Sequence, residues 1–129
     1  MAMNALSQRI RAHVMAFEYP SYGLCKGPIE PTEETINNHA ERAYSFARDT
    51  LQWPSDRILV YGHSMGSGPA CHVAATKAVG GLILKSPYKS LRNVIQEKIW
   101  IFSKLFSCPN WNNQEAMKHI QCPTLFIHG

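Results

Sequence analysis

One stretch constrains this chain more than any other: Arg57-Ile58-Leu59-Val60-Tyr61-Gly62-His63-Ser64-Met65-Gly66-Ser67-Gly68-Pro69-Ala70. It opens as a short apolar, β-favouring run and turns abruptly at Gly62. It continues through Ala70-Cys71-His72-Val73-Ala74-Ala75-Thr76-Lys77, which reads as a small-residue helix suited to close packing. Between strand and helix stands Gly62-x-Ser64-x-Gly66. The spacing has a steric meaning. A side chain at the apex of so sharp a turn needs the residues two before and two after it to be nearly free of side chain. The apex backbone is then strained, and its hydroxyl stands clear of the carboxyl edge of the sheet. The helix behind it points its positive end at the same spot.

The pattern predicts Ser64 as a nucleophile and the Met65 backbone N–H as a donor to an oxyanion, with Gly62 and Gly66 shaping the turn. Average usage of glycine and serine puts a chance G-x-S-x-G in a chain this size at roughly 4%. The flanking strand and helix lower that further, so a glycine-rich turn of another kind is the weaker reading. Phosphate binding fails on the residues. Gly62-x3-Gly66-x-Gly68 is neither G-x-G-x-x-G nor G-x4-G-K-[ST], and no lysine follows the glycines.

At 129 residues the chain is one domain at most. Apolar residues make up 45% of it, which excludes a disordered chain. Thirteen basic residues against nine acidic give a mild +4 without any lysine-arginine run, so no nucleic-acid partner is implied. Cys25, Cys71, Cys108 and Cys122 are scattered with no C-x-x-C pair. No metal site or cofactor is expected, and reduced thiols fit a cytoplasmic protein. No apolar run approaches the roughly 18 residues of a membrane span, and the amino terminus lacks a signal-peptide core.

Along the chain, His13-Val14-Met15-Ala16-Phe17 reads as a buried strand, and Glu18-Tyr19-Pro20-Ser21-Tyr22-Gly23 as a loop. Thr32 is a helix cap followed by Glu33 and Glu34. Ile36, Ala40, Ala43, Tyr44, Ala47 and Leu51 then recur at helical spacing, predicting a helix to about Leu51. Gly80-Gly81 precedes a short strand, Leu82-Ile83-Leu84, and a loop, Ser86-Pro87-Tyr88. Leu91, Val94, Ile95, Ile99, Phe102 and Leu105 mark an apolar amphipathic helix over 91–106. Pro109 to Asn113 reads as a loop, Gln114 to Ile120 as a short helix, and Thr124 to His128 as a final strand. Apolar strands alternating with helices predict a parallel sheet covered on both faces.

With the turn placed inside this series, the chain resembles an α/β-hydrolase. Phe17-Glu18-Tyr19-Pro20-Ser21-Tyr22-Gly23 is similar to the family's F-D-Y-P-G-Y-G segment, with Glu18 for Asp and Ser21 for Gly; Cys25 stands where a serine is common. Leu84-Lys85-Ser86-Pro87-Tyr88 resembles the loop after the next strand, and Phe126-Ile127-His128-Gly129 the strand end before the catalytic acid. The combination is most like the branch of α/β-hydrolase-domain proteins that includes protein depalmitoylases; serine-aminopeptidase-like relatives share parts of it. The resemblance implies an α/β fold, a three-layer αβα sandwich around a parallel sheet. Residues 1–129 would then be a partial domain, truncated at both ends, without the early strands, the catalytic acid, the catalytic histidine or the second oxyanion donor.

None of the histidines present reads as the base. His63 is next to Ser64 but points apart from it, His128 and His72 suit structural or solvated roles, and His13, His39 and His119 have less claim. Asp49 and Asp56 belong at the far edge of the sheet. The implied activity is a serine hydrolase of esterase or thioesterase type, acting on an acyl ester or an acylated protein at the cytoplasmic face of membranes. Tyr22, Leu91 and Ile95 are candidate linings of an acyl pocket, although the stronger reading of a helix over 91–106 is that it covers the sheet. The alternative expectation is an inactive truncated domain acting as a binding protein. A peripheral seat of the 91–106 helix on an anionic membrane is a lesser variant, because it has three cations and core-like spacing.

Overall fold

The computed structural model describes residues 3–89 and 111–128. The amphipathic helix expected over 91–106, with Leu91 and Ile95, lies outside them. Helix α1 spans Met3–Ile10 and helix α2 spans Glu33–Ser45. Strand β1 covers Leu59–His63, helix α3 Ser67–Thr76 and strand β2 Gly81–Lys85. A four-residue helix α4, Asn113–Ala116, precedes strand β3, Thr124–Ile127. The strands lie in the order β1-β2-β3, all parallel.

Helix α2 starts where the sequence places it. The Thr32 hydroxyl accepts the Thr35 N–H at 3.2 Å, and the Thr35 hydroxyl accepts the Thr32 N–H at 2.9 Å, so two of the four orphan donors are satisfied reciprocally. Ile36, Ala40 and Tyr44 form its buried stripe. The helix changes pitch sooner than its apolar periodicity predicts. Phe46–Thr50 is a π-helical turn, and Leu51 N–H bonds to Phe46 C=O at 3.0 Å. The wider turn rotates the next apolar residue off the stripe, which leaves Leu51 half exposed.

Helix α3 is the hub. Ala70, Cys71 and Ala74 face Leu82 and Leu84 of β2, while Val73 meets Ala40 and Tyr44 of α2. Small side chains let one helix serve both contacts at close range. Removing Leu82, Leu84 and Ile36 from water stabilises the fold by about 1.5–3 kcal/mol each. Tyr44 Oη donates to Ala78 C=O at 2.7 Å, tying α2 to the connection behind α3. Ala116, Met117 and Ile120 extend the same cluster from the α4 region.

The register puts Val60, Gly62, Leu82 and Leu84 on the face that carries α3. Leu59, Tyr61, Leu125 and Ile127 take the alternate positions. Those four side chains are exposed, so among the described residues the helices cover one face of the sheet.

The strand expected over 13–17 does not form. Its ends are anchored: the His13 ring lies 5.3 Å from that of Trp53, and Phe17 lies 5.7 Å from Tyr19. A strand also needs a ladder, and no backbone hydrogen bond joins 13–17 to another segment among the described residues. An apolar run sets the tendency to be a strand, but the partner sets the strand.

Candidate functional site

Strand β1 ends at His63, and the chain passes through a single 3₁₀ turn, Ser64–Gly66, into α3. Ser64 has φ +50° and is exposed. A serine in the left-handed region is disfavoured by roughly 1–2 kcal/mol, so the surroundings must hold it there. Gly62 makes the turn sterically feasible. A Cβ on it would stand 2.6 Å from Gly66 C=O, 2.7 Å from Ala70 Cβ and 2.8 Å from Ser67 Cα. Gly66 is less crowded, since among the described residues a Cβ there would meet only Tyr19 Oη, at 3.7 Å. Gly68, in the first turn of α3, is crowded too, and its missing side chain makes room for the Trp111 indole.

The turn is held from beneath. Ser67 is fully buried, and its Oγ donates to Ser64 C=O at 2.7 Å while its N–H reaches the same carbonyl. Asn113 Nδ2 donates to Ser67 Oγ at 2.8 Å and to Tyr88 C=O at 2.9 Å. Tyr88 Oη donates to Met65 C=O at 3.4 Å. Burial pushes the Tyr88 phenol well up from its ordinary value and raises that of Tyr19 too, so both stay protonated donors beside the turn. Trp111, buried against Gly68, donates from Nε1 to Asn37 Oδ1 at 2.9 Å.

A second strained serine lies alongside. His63 is the register partner of Lys85, so Ser64 and Ser86 follow directly on neighbouring parallel strands. Ser86 has φ +47°, and its N–H donates to Ile127 C=O at 2.8 Å. Ser67, Ser86, Tyr88 and Asn113 are absent from the sequence-based site. The available signal is Gly68, a glycine the turn itself does not require, together with Trp111 and the two asparagines that follow it, Asn112 and Asn113, in a stretch that reads as a loop.

The remaining candidates are spread apart. Tyr22 is exposed on the loop after residue 19, its ring 6.3 Å from Tyr19. In that loop Ser21 takes φ +64° where the resembled segment has glycine, and its Oγ donates to Ile29 C=O at 2.6 Å. Glu18 accepts the Leu24 N–H at 3.3 Å, a cap that the longer acid reaches. His72 is engaged with Glu41, which also binds Lys77, each at 2.7 Å. Asp56 lies in the turn before β1, at the opposite end of that strand from Ser64. No imidazole or carboxylate bonds to Ser64 Oγ among the described residues. Nor do they hold a group of three or more His, Cys, Asp or Glu able to bind a metal, or a helix long and apolar enough to cross a membrane. A shallow apolar depression lined by Leu59, Gly81, Ile83, Pro123 and Leu125 lies at the amino ends of the strands, away from Ser64.

The chain is similar over 96% of its length to proteins carrying one common description. It is 26% identical over 124 residues to the alpha/beta hydrolase domain-containing protein aho-3 of Caenorhabditis elegans. It is 27% identical over 124 residues to alpha/beta hydrolase domain-containing protein 17B of Homo sapiens, and 26% over 125 residues to protein 17C of Xenopus tropicalis. These residues fit part of an α/β-hydrolase domain. The parallel sheet with its packed helices agrees with that fold. The matched region is 36% of the worm protein, 41% of the human one and 38% of the frog one, so the chain spans about two fifths of the curated relatives it matches. No family model matches the chain, and no solved structure does.

Proposed function

We propose that the chain supplies the nucleophile of a serine hydrolase acting on acyl esters or thioesters. The observation that carries this reading is Ser64, exposed at φ +50° at the carboxyl end of a parallel strand, with Gly62 pressed onto the following helix. Ser64 Oγ would attack the acyl carbonyl and pass its proton to a base. The bond to the leaving alcohol or thiol then breaks, and that group takes up the proton. Water releases the acyl group from Ser64 in a second step. The Met65 N–H would face the oxyanion. The base, its orienting acid and a second oxyanion donor are assigned to sequence outside the described residues. On its own, the chain is expected to turn over poorly, because an unassisted serine hydroxyl is a weak nucleophile at neutral pH. An S-acylated protein at the cytoplasmic face of a membrane is the substrate we favour, on the family likeness alone.

A second reading, a hydrolase-like domain that binds a partner without turnover, draws support from two observations. Ser64 lacks a base among the described residues, and Leu59, Tyr61, Leu125 and Ile127 leave an apolar sheet face exposed. A fluorophosphonate probe on the purified chain separates the two, with Ser64→Ala as control. Labelling lost in the variant supports an activated serine. An unlabelled chain whose circular dichroism shows it folded would mean that the turn is present but idle, and the hydrolase reading would then belong to the family and not to this chain alone.

A further inference from the structure

We infer that Asn113 is a positioning residue that holds the Ser64 turn and the neighbouring Ser86 turn together from below. Both serines sit at positive φ on adjacent strand ends, a conformation that persists only where other contacts over-determine it. Asn113 is 4% exposed and directs both amide protons at these two turns. One goes to Ser67 Oγ, which in turn donates to Ser64 C=O; the other goes to Tyr88 C=O, two residues beyond Ser86.

The orientation of the amide follows from chemistry. The Tyr88 carbonyl can only accept, and the Ser67 hydroxyl has already given its proton to Ser64 C=O, so both must face Nδ2. Among the described residues, Asn113 Oδ1 is then left buried without a hydrogen-bond partner. The residue is thus held as a double donor while its acceptor goes unused, a price ordinarily avoided in a buried asparagine. Asparagine is the right length and carries two protons on one atom. Aspartate has the same shape and none, and would set a carboxylate against the Tyr88 carbonyl.

That this tie serves catalysis rests on reading Ser64 as the nucleophile; that it holds the turn does not. The test is amide hydrogen exchange by NMR on the full chain, wild type against Asn113→Asp and Ser67→Ala. In Asn113→Asp the Ser67 and Ser86 amides are expected to exchange at least about tenfold faster. The Leu82 and Lys77 amides, bonded to Pro123 C=O and Val73 C=O, should keep their protection. Ser67→Ala cuts one arm only, so residue 67 should accelerate and Ser86 should not. Unchanged exchange at Ser67 in Asn113→Asp overturns the inference, as does equal acceleration at Leu82 and Lys77, which would mean general loosening. Should Asn113→Asp not fold, Asn113→Ala, which removes both donors without adding a charge, decides: acceleration at residues 67 and 86 but not at Leu82 or Lys77 upholds the tie, and its absence refutes it. Fluorophosphonate labelling of the wild type reports separately on the nucleophile. A locally accelerated turn on an unlabelled chain would leave the tie standing around a serine that this chain alone does not activate.

Discussion

Gly68→Ala adds one methyl group where the Trp111 ring already lies. Its Cβ would stand 2.3 Å from Cδ2, 2.5 Å from Cγ and 2.7 Å from Cε3. Ordinary carbon contacts begin near 3.5 Å, so the indole must retreat by about 1 Å. Retreat is obstructed because the ring is 3% exposed and its Nε1 is bonded to Asn37 Oδ1 at 2.9 Å. A further ångström takes that bond out of range and leaves Asn37 Oδ1 without its donor. Overpacking costs about 1–3 kcal/mol, and orphaning a buried acceptor about 1–3 kcal/mol. Replacing a helical glycine by alanine offsets up to about 1 kcal/mol. The middle of these ranges gives a net loss of about 3 kcal/mol, a large part of the ~5–15 kcal/mol that holds a domain together. In urea unfolding followed by circular dichroism and tryptophan fluorescence, the midpoint should fall by about 1.5 M for a slope of about 2 kcal/mol/M. An unchanged or raised midpoint would mean that helix propensity outweighs the clash, and the seat of Trp111 on α3 would be refuted.

Two further outcomes are expected. Lys77 first, and then His72, hold the Glu41 carboxyl below its ordinary 4.5, so the stability it contributes is present above that value and lost as the pH falls through the lowered one. Wild type should therefore melt above Glu41→Gln at neutral pH, and the gap should close on acidification below 4.5; a constant gap in thermal melts would contradict the ion cluster. Burial pushes the Cys71 thiol up to about 12, and the residue is fully buried, whereas Cys25 and Cys122 are partly exposed. Iodoacetamide on the native chain should modify those two and spare Cys71, as read by peptide mass spectrometry; alkylation of Cys71 at the rate of Cys25 would mean that α3 opens readily.

What was legible in the sequence is what local patterning controls. The Thr32 cap, the turn at Gly62 to Gly66, the small-residue helix behind it and the strands at residues 82 and 124 each announce themselves within a few residues. The failures share a physical cause, which is that distant partners decide them. Residues 13–17 have strand composition but no ladder among the described residues, and nothing within five residues could reveal that. The pitch change at Phe46 leaves no mark in the apolar period of α2, which runs on to Leu51. The Trp111 to Asn113 segment read as a loop because its polar residues look solvated in isolation. Their hydrogen bonds go to Asn37, Ser67 and Tyr88, far away along the chain. Gly68 was the local trace of that contact.

The all-parallel order β1-β2-β3 has a consequence for how the chain reaches this structure. Neither ladder can start from a hairpin, because residues 64–80 separate β1 from β2 and 86–123 separate β2 from β3. Each must wait for a crossover to close, which slows assembly relative to local pairing. During synthesis from the amino terminus, β1 and β2 emerge well before Thr124–Ile127. In that interval β2 keeps one row of amides and carbonyls unpaired, with Leu82 and Leu84 beside it, an invitation to other chains. The four residues of β3, the last of the three strands to be made, set how long that interval lasts.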